Sequence, residues 1–243
     1  MEGKQDHKMQ WENSVVGQLR WSHPIENFEA KQRVGKLLAD KVNDGDVIGF
    51  GSGSTSFIAI QAIAAALKQR QISCTAIPTS QEVSFACAAL GIPTLSLVDA
   101  RPSWAFDGAD EVDPANNLIK GRGGAMFREK LIMDSSPKSY ILVDRSKLVT
   151  RLGERFPIPI EVAPVAISHV SDKLHKLGAI QLELRLGSGK DGPVITESGS
   201  LIIDARFDQI EPGLEAAIKG ICGVIESGLF QGRDLEILVS DPQ

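Results

Sequence analysis

The residues best equipped for chemistry lie between Asp107 and Lys130, in the run DGADEVDPANNLIKGRGGAMFREK. Four acidic side chains, Asp107, Asp110, Glu111 and Asp113, fall within seven positions, and Lys120, Arg122, Arg128 and Lys130 follow, with Glu129 between the last two. Carboxylates crowded into one crevice raise each other's pKa, so some of them must face cations. Grouped carboxylates, a lysine and bare backbone N–H groups can move protons on a small anionic substrate. The same composition also suits a surface hairpin laced by ion pairs, each of them worth little. Gly108, Gly121, Gly123 and Gly124 weigh toward chemistry, because a ligand that approaches the main chain needs glycine and an ion-paired hairpin does not.

A second stretch, Gly51-Ser52-Gly53-Ser54-Thr55, follows the short apolar run at 47–50 and opens an apolar helical pattern through Ile58, Ala62, Ile63, Ala66 and Leu67. A strand, a glycine turn and a helix N-terminus together present free N–H groups and the positive end of the helix dipole to an anion. No lysine stands where a Walker A loop requires it, and the dinucleotide fingerprint is poorly matched. A plain tight turn with a Ser/Thr cap is the competing reading.

These stretches need elements to hold them. Helical spacing predicts a helix over 27–42; strands are expected at 47–50, 73–77, 94–98, 103–106 and 139–143, and a helix at 81–90 ends at Gly91. Such alternation implies a Rossmann-like, mostly parallel sheet with helices on both faces, and ligands then sit at the carboxyl ends of its strands. The turn at 51–55 and Asp107 both fall at such ends. From residue 158 the order becomes strand (158–163), helix (165–177), strand (180–186), a hairpin of two short strands at 194–196 and 201–205, helix (212–219) and strand (223–228), which suggests a smaller ferredoxin-like α+β unit. The expected division is an appendage at 1–24, a catalytic α/β domain at 25–152 rejoined by 231–243, and a smaller domain at 153–230 acting as lid or subunit contact. Residues 235–239 are read as returning to the first sheet.

Composition excludes several classes. The chain has 243 residues and a net charge of -5, against the basic footprint of a nucleic-acid binder. No apolar run is long enough to span a bilayer, and the leading residues lack a secretory or transit pattern, so a cytoplasmic protein is expected. Cys74, Cys87 and Cys222 read as buried small hydrophobes in a reducing compartment, and the four histidines form no ligand spacing, so no metal is expected.

With these residues in view, the chain resembles ribose-5-phosphate isomerases of the A type. The resemblance is carried by GSGST at 51–55, DGADE at 107–111, KGRGGAMFREK at 120–130, the lysine of DRSK at Lys147 and FPIPIEV from Phe156, and it runs from about residue 25 to the C-terminus. It implies interconversion of D-ribose 5-phosphate and D-ribulose 5-phosphate through an ene-diolate, with no metal or organic cofactor. By that resemblance Glu129 is the base, Lys120 stabilises the developing oxyanion, and Asp107 and Asp110 hold sugar hydroxyls, Asp107 also helping to open the ring or relay a proton. Ser52, Gly53, Ser54, Thr55, Gly108, Ala109, Gly121, Arg122, Gly123 and Lys147 line the substrate, and Lys31 is a further candidate for its phosphate. The partners implied are a small sugar phosphate and further copies of the chain, as a homodimer or higher homo-oligomer, with no nucleic acid or membrane. Two positions depart from the family pattern: Ser52, where threonine is common, and Arg122, where glycine is common, so Arg122 is expected to point away from substrate or to reach its phosphate. Coenzyme A transferases and sugar-phosphate deaminases share the general architecture, and a non-catalytic sugar-phosphate sensor is the other alternative.

Overall fold

The computed structural model describes residues 24–189 and 191–240; apart from Pro24, the leading appendage lies outside the described residues. The chain opens with α1 (Phe28–Ala39) and β1 (Asp46–Phe50), then α2 (Gly53–Arg70), β2 (Cys74–Pro78) and α3 (Gln81–Leu90). The hydroxyl of Ser80 caps α3 by accepting from Val83 N–H at 3.2 Å, and Gly91 ends it with a positive φ of 71°. β3 (Trp104–Gly108) runs into a small hairpin of β4 (Glu111–Val112) and β5 (Leu118–Ile119) before α4 (Met126–Ser135) and β6 (Ser139–Asp144).

The remaining elements are β7 (Ile158–Val162), α5 (Ile167–Lys176), β8 (Ala179–Leu184), β9 (Leu201–Phe207), α6 (Leu214–Lys219), β10 (Val224–Ser227), β11 (Leu229–Phe230) and β12 (Leu235–Ser240). Among the described residues three sheets result. The largest has the order β12–β6–β3–β1–β2, and every pairing in it is parallel. A four-stranded antiparallel sheet has the order β10–β7–β9–β8, with α5 and α6 in the connections, which is ferredoxin-like topology. β11, β5 and β4 form a small third sheet beside the others.

Parallel strands covered on both faces must be apolar along their whole length, and β6 is buried at all six positions. Ile48, Phe50, Phe106 and Leu142 face one layer, where Val34 and Leu38 of α1 and Ile60 and Ile63 of α2 close over them. Ile77 and Ala105 face the other layer and meet Ile132 of α4. A second core forms between α5, α6 and the antiparallel sheet, around Ile158, Ile160, Val170, Leu174 and Ile203. Each such fully buried side chain contributes about 1.5–3 kcal/mol relative to exposure. Residues 235–240 do return to the first sheet, pairing with β6 from Ser139 to Asp144.

Two expected strands are absent. Residues 94–98 form only a single bridge from Thr94 to Ala76, because Ser96 N–H and Oγ both donate to Asp99 Oδ2 and close a turn that leaves Val98 exposed. Residues 194–196 make only irregular backbone contacts, Val194 N–H to Arg185 O and Thr196 N–H to Ser200 O, on the way into β9. Cys74 and Cys87 are buried, and burial pushes their thiols up to about 11 and about 12. Cys222 is exposed, contrary to the expectation of three buried cysteines, because it follows α6 in an open turn.

Candidate active site

The site is built where the carboxyl ends of β1, β3 and β6 come together. Gly51, directly after β1, lies against Asp107 of β3 so closely that a Cβ there would be 2.3 Å from Asp107 Oδ1 and 2.5 Å from its Cα. Only glycine permits that approach. Gly53 then turns the chain with a φ of +83° and starts α2. Ser52 is the N-cap residue of α2, yet its side chain makes no capping bond; its hydroxyl donates to Glu129 Oε1 instead. The start of α2, Gly53, Ser54 and Thr55, thus lines the cavity without a capping bond from Ser52, at the helix end that favours an anion.

Lys120, immediately after β5, is the centre of the charge arrangement. Its Nζ lies 2.8 Å from Asp107 Oδ2 and 3.2 Å from Glu129 Oε2, and it donates to Gly108 O at 2.6 Å. All three side chains are nearly inaccessible, at 4% exposure for Lys120 and Asp107 and 5% for Glu129. Burial and the neighbouring Glu129 push the Asp107 carboxyl up to about 7, while Lys120 pulls it back. Burial works against the charge on Lys120, but Asp107 and Glu129 outweigh it and hold the ammonium above its ordinary range. Asp110 is also raised by burial, with Lys120 opposing. The result is one firmly held cation between two carboxylates, one of which is poised to exchange a proton near neutral pH.

A cavity of about 600 Å³ opens above this trio. The residues to which the family resemblance gives a role all line it: Lys31, Ser52, Gly53, Ser54, Thr55, Asp107, Gly108, Ala109, Asp110, Lys120, Gly121, Arg122, Gly123, Glu129 and Lys147. Lys31 donates to Ser54 Oγ at 2.9 Å, which ties α1 to the start of α2; burial lowers its pKa, and nearby Lys147 lowers it further. Lys147 stands in a short 3-10 turn after β6, its ammonium 5.6 Å from the centre of the Phe156 ring. The two positive-φ positions of the 120–124 loop are Gly121 and Gly124, at +99° and +79°. Arg122 takes neither, so a side chain is tolerated there; it is exposed, and its N–H donates to Asp110 Oδ2 at 3.3 Å.

Several charges leave the cluster that sequence proximity suggests. Glu111 is fully buried and turns away from the cavity, accepting from the N–H groups of Gly153, Arg155 and Phe156 at 2.7, 2.6 and 2.7 Å. Asp113 holds its own turn through Ala115 and Asn117. Lys130 pairs with Glu215 and Glu226 at 2.8 and 2.9 Å, and Arg128 with Glu197 at 3.3 Å. Ser80, Glu82 and Glu197 line the cavity without having been singled out, as do Pro24, Ile25, Glu26 and Ala125. The place of Ser80 and Glu82 after β2 was the available signal. Glu197 arrives from the antiparallel unit and has no local sequence signature.

Similarity to known proteins decides the family. The family model described as ribose 5-phosphate isomerase A (phosphoriboisomerase A) matches residues 75–243, well over half of the chain. The chain belongs to that family. It is 45% identical over 217 residues to the ribose-5-phosphate isomerase A of Thermosynechococcus vestitus, covering 88% of this chain and 92% of that protein. With the ribose-5-phosphate isomerase A of Methanothermobacter thermautotrophicus it shares 43% over 211 residues, 86% of this chain and 92% of the relative. The solved ribose 5-phosphate isomerase A of Methanocaldococcus jannaschii superposes with a TM-score of 0.85 at 39% identity, over 88% of this chain and 96% of that one. A D-ribose-5-phosphate isomerase in complex with phospho-erythronic acid gives a TM-score of 0.83 at 40% identity, over 88% and 94%. As a member of the ribose 5-phosphate isomerase A family, the protein is an isomerase. Among the described residues no helix is long and apolar enough to cross a membrane.

Proposed function

We propose that the cavity binds D-ribose 5-phosphate and D-ribulose 5-phosphate and interconverts them by moving one proton through an ene-diolate, as a step of the non-oxidative pentose phosphate pathway. The observation that carries this is the pair of buried carboxylates, Asp107 and Glu129, both held on the Lys120 ammonium at the cavity floor. Glu129 takes the proton from C2 of the open-chain aldose and returns it to C1. Lys120 stabilises the negative charge that develops on the enediolate oxygen, in a site where a buried donor acts far more strongly than in water. Asp107, its carboxyl raised by burial and by Glu129, passes the hydroxyl proton and assists ring opening. Asp110 holds a sugar hydroxyl. The phosphate lies against the start of α2 at 53–55, with Lys31 and Lys147 beside it.

None of these steps calls for a metal, and no group of three metal-ligating side chains occurs among the described residues. The relative that binds phospho-erythronic acid supports a phosphorylated polyol acid as a ligand shape for such a cavity. We assign the chemistry to residues 25–152 and 231–243, and to residues 153–230 the closing of the cavity and contact with a second copy of the chain. The test is a ribose 5-phosphate isomerisation assay run in deuterium oxide. Turnover is expected, with deuterium entering the product's C1 in the fraction of turnovers in which the proton on Glu129 exchanges with solvent before its return; absence of turnover on either pentose 5-phosphate overturns the assignment.

A further inference from the structure

The strand order of the parallel sheet lays the cavity's charges out in a row. Lys147 follows β6, Asp107 stands at the end of β3 with Asp110 just after it, the turn at 52–55 follows β1, and Glu82 follows β2, which is the outermost strand on that side. Lys31 is joined to the turn through Ser54 and feels Lys147 and Asp144. Glu82 feels Glu197 and Glu129 and is raised first of all by its own burial. One end of the cavity thus holds both ammonium groups, with Glu26 and Asp144 near Lys31, and the other holds two carboxylates, Glu82 and the Arg128-paired Glu197, that take no part in the proton transfer described above.

Glu197 is fixed at that acidic end from several sides. Its N–H donates to Gly124 O at 3.3 Å, its Oε2 accepts from Gln81 N–H at 3.1 Å and from Arg128 at 3.3 Å, and its carbonyl accepts from Arg128 at 3.3 Å. The residue before it, Thr196, is buried and donates to the buried Glu161 at 2.5 Å. A side chain held this way cannot swing aside for an anion. With the substrate phosphate at the Lys31–Lys147 end and Glu129 acting between C1 and C2, C1 is the substrate atom that faces Glu82 and Glu197.

We infer that Glu82 and Glu197 are specificity-determining residues, which keep the C1 end of the cavity for a neutral hydroxyl or aldehyde and reject pentose phosphates carrying a second anionic group on C1. This rests on the substrate orientation proposed above. Like charges placed opposite each other are a common means of excluding a near-identical ligand, since the correct substrate loses nothing by them.

Calorimetric binding of ribose 5-phosphate and of ribulose 1,5-bisphosphate tests the inference, on the full-length wild type, Glu82→Gln, Glu197→Gln and the double variant. In the wild type the bisphosphate is expected to bind at least about ten-fold more weakly than the monophosphate, and each substitution to reduce that ratio by about three- to ten-fold. A merely structural role for Glu197, through Arg128 and Gln81, would weaken both ligands together and leave the ratio where it was. Equal binding of the two ligands to the wild type overturns the inference, as does a ratio unchanged in the double variant. Because the readout is binding, it stands apart from the isomerisation assay: turnover with no discrimination sinks only the specificity role, whereas failure to bind ribose 5-phosphate at all sinks the functional reading beneath it.

Discussion

Replacing Lys120 with methionine keeps most of the side-chain volume and removes the one ammonium between Asp107 and Glu129. At about 3 Å and an effective dielectric near 20, each ion pair is worth about 5 kcal/mol in gross attraction, much of it offset by desolvation. Breaking a buried pair from one side costs about 3–5 kcal/mol, because the remaining charge is stranded. In this site the stranded charge has an escape, since Asp107 is already raised to about 7 by burial and Glu129 and loses in the variant the cation that held it down. A carboxyl whose folded pKa lies above its unfolded value binds its proton more tightly in the folded state, so stability falls as pH rises from about 4 through the folded pKa. Wild-type stability should therefore decline from about pH 4 to about pH 7 on account of Asp107, and in Lys120→Met the decline should continue to higher pH. Urea denaturation should show Lys120→Met less stable than wild type by about 3–5 kcal/mol at pH 8. At pH 5 the gap should shrink toward about 1 kcal/mol, the worth of the lost hydrogen bond to Gly108 O. An equal loss at both pH values would refute the claim that the lysine acts by compensating buried carboxylates.

Three other substitutions probe separate parts of the structure. Glu129→Gln retains a partner for the Ser52 hydroxyl but cannot accept a proton, and turnover of ribose 5-phosphate should fall by about 10²–10⁴-fold; near-wild-type turnover would remove Glu129 from the base role. Gly51→Ala drives a methyl group into Asp107 and should cost about 1–3 kcal/mol in thermal or chemical denaturation as well as most of the activity. Glu111→Gln lies outside the cavity yet strips the charge from the buried acceptor of three N–H bonds, so it should destabilise by about 2–4 kcal/mol; a variant as stable as wild type would show that the 153–156 loop is held by something else.

What could be read from the sequence was governed by local periodicity. The alternation of short apolar runs with helical spacing placed 51–55 and Asp107 at strand ends, and the sheet does bring those ends together. Gly91 marked the end of α3 because capping is decided within a few residues. Residues 94–98 misled for a related reason: their apolar content suits a strand, but Asp99 offers Ser96 a tighter local bond. The acidic run at 107–113 looked like one cluster, whereas in a tight hairpin its members point in different directions. Asp107 and Asp110 reach the cavity, while Glu111 satisfies a loop more than forty residues further along the chain. Glu197 was illegible because its position depends on two units meeting, and nothing in residues 194–200 announces Gln81 or Arg128 as neighbours.

The pairing of β12 with β6 carries a consequence for how the molecule is made. The outer strand on the β6 side of the main sheet comes from residues 235–240, after the whole of the antiparallel unit has been traversed. A chain emerging from the ribosome N-terminus first can assemble β1, β2, β3 and β6 early, but it leaves β6 with an unpaired edge, one that is buried along its full length in the finished fold. Domains generally fold as units during synthesis, and here the main sheet has to wait for the last segment of the chain. The antiparallel unit lies between β6 and β12 in sequence, so the folded unit spans the distance from the edge of β6 to the late strand that covers it.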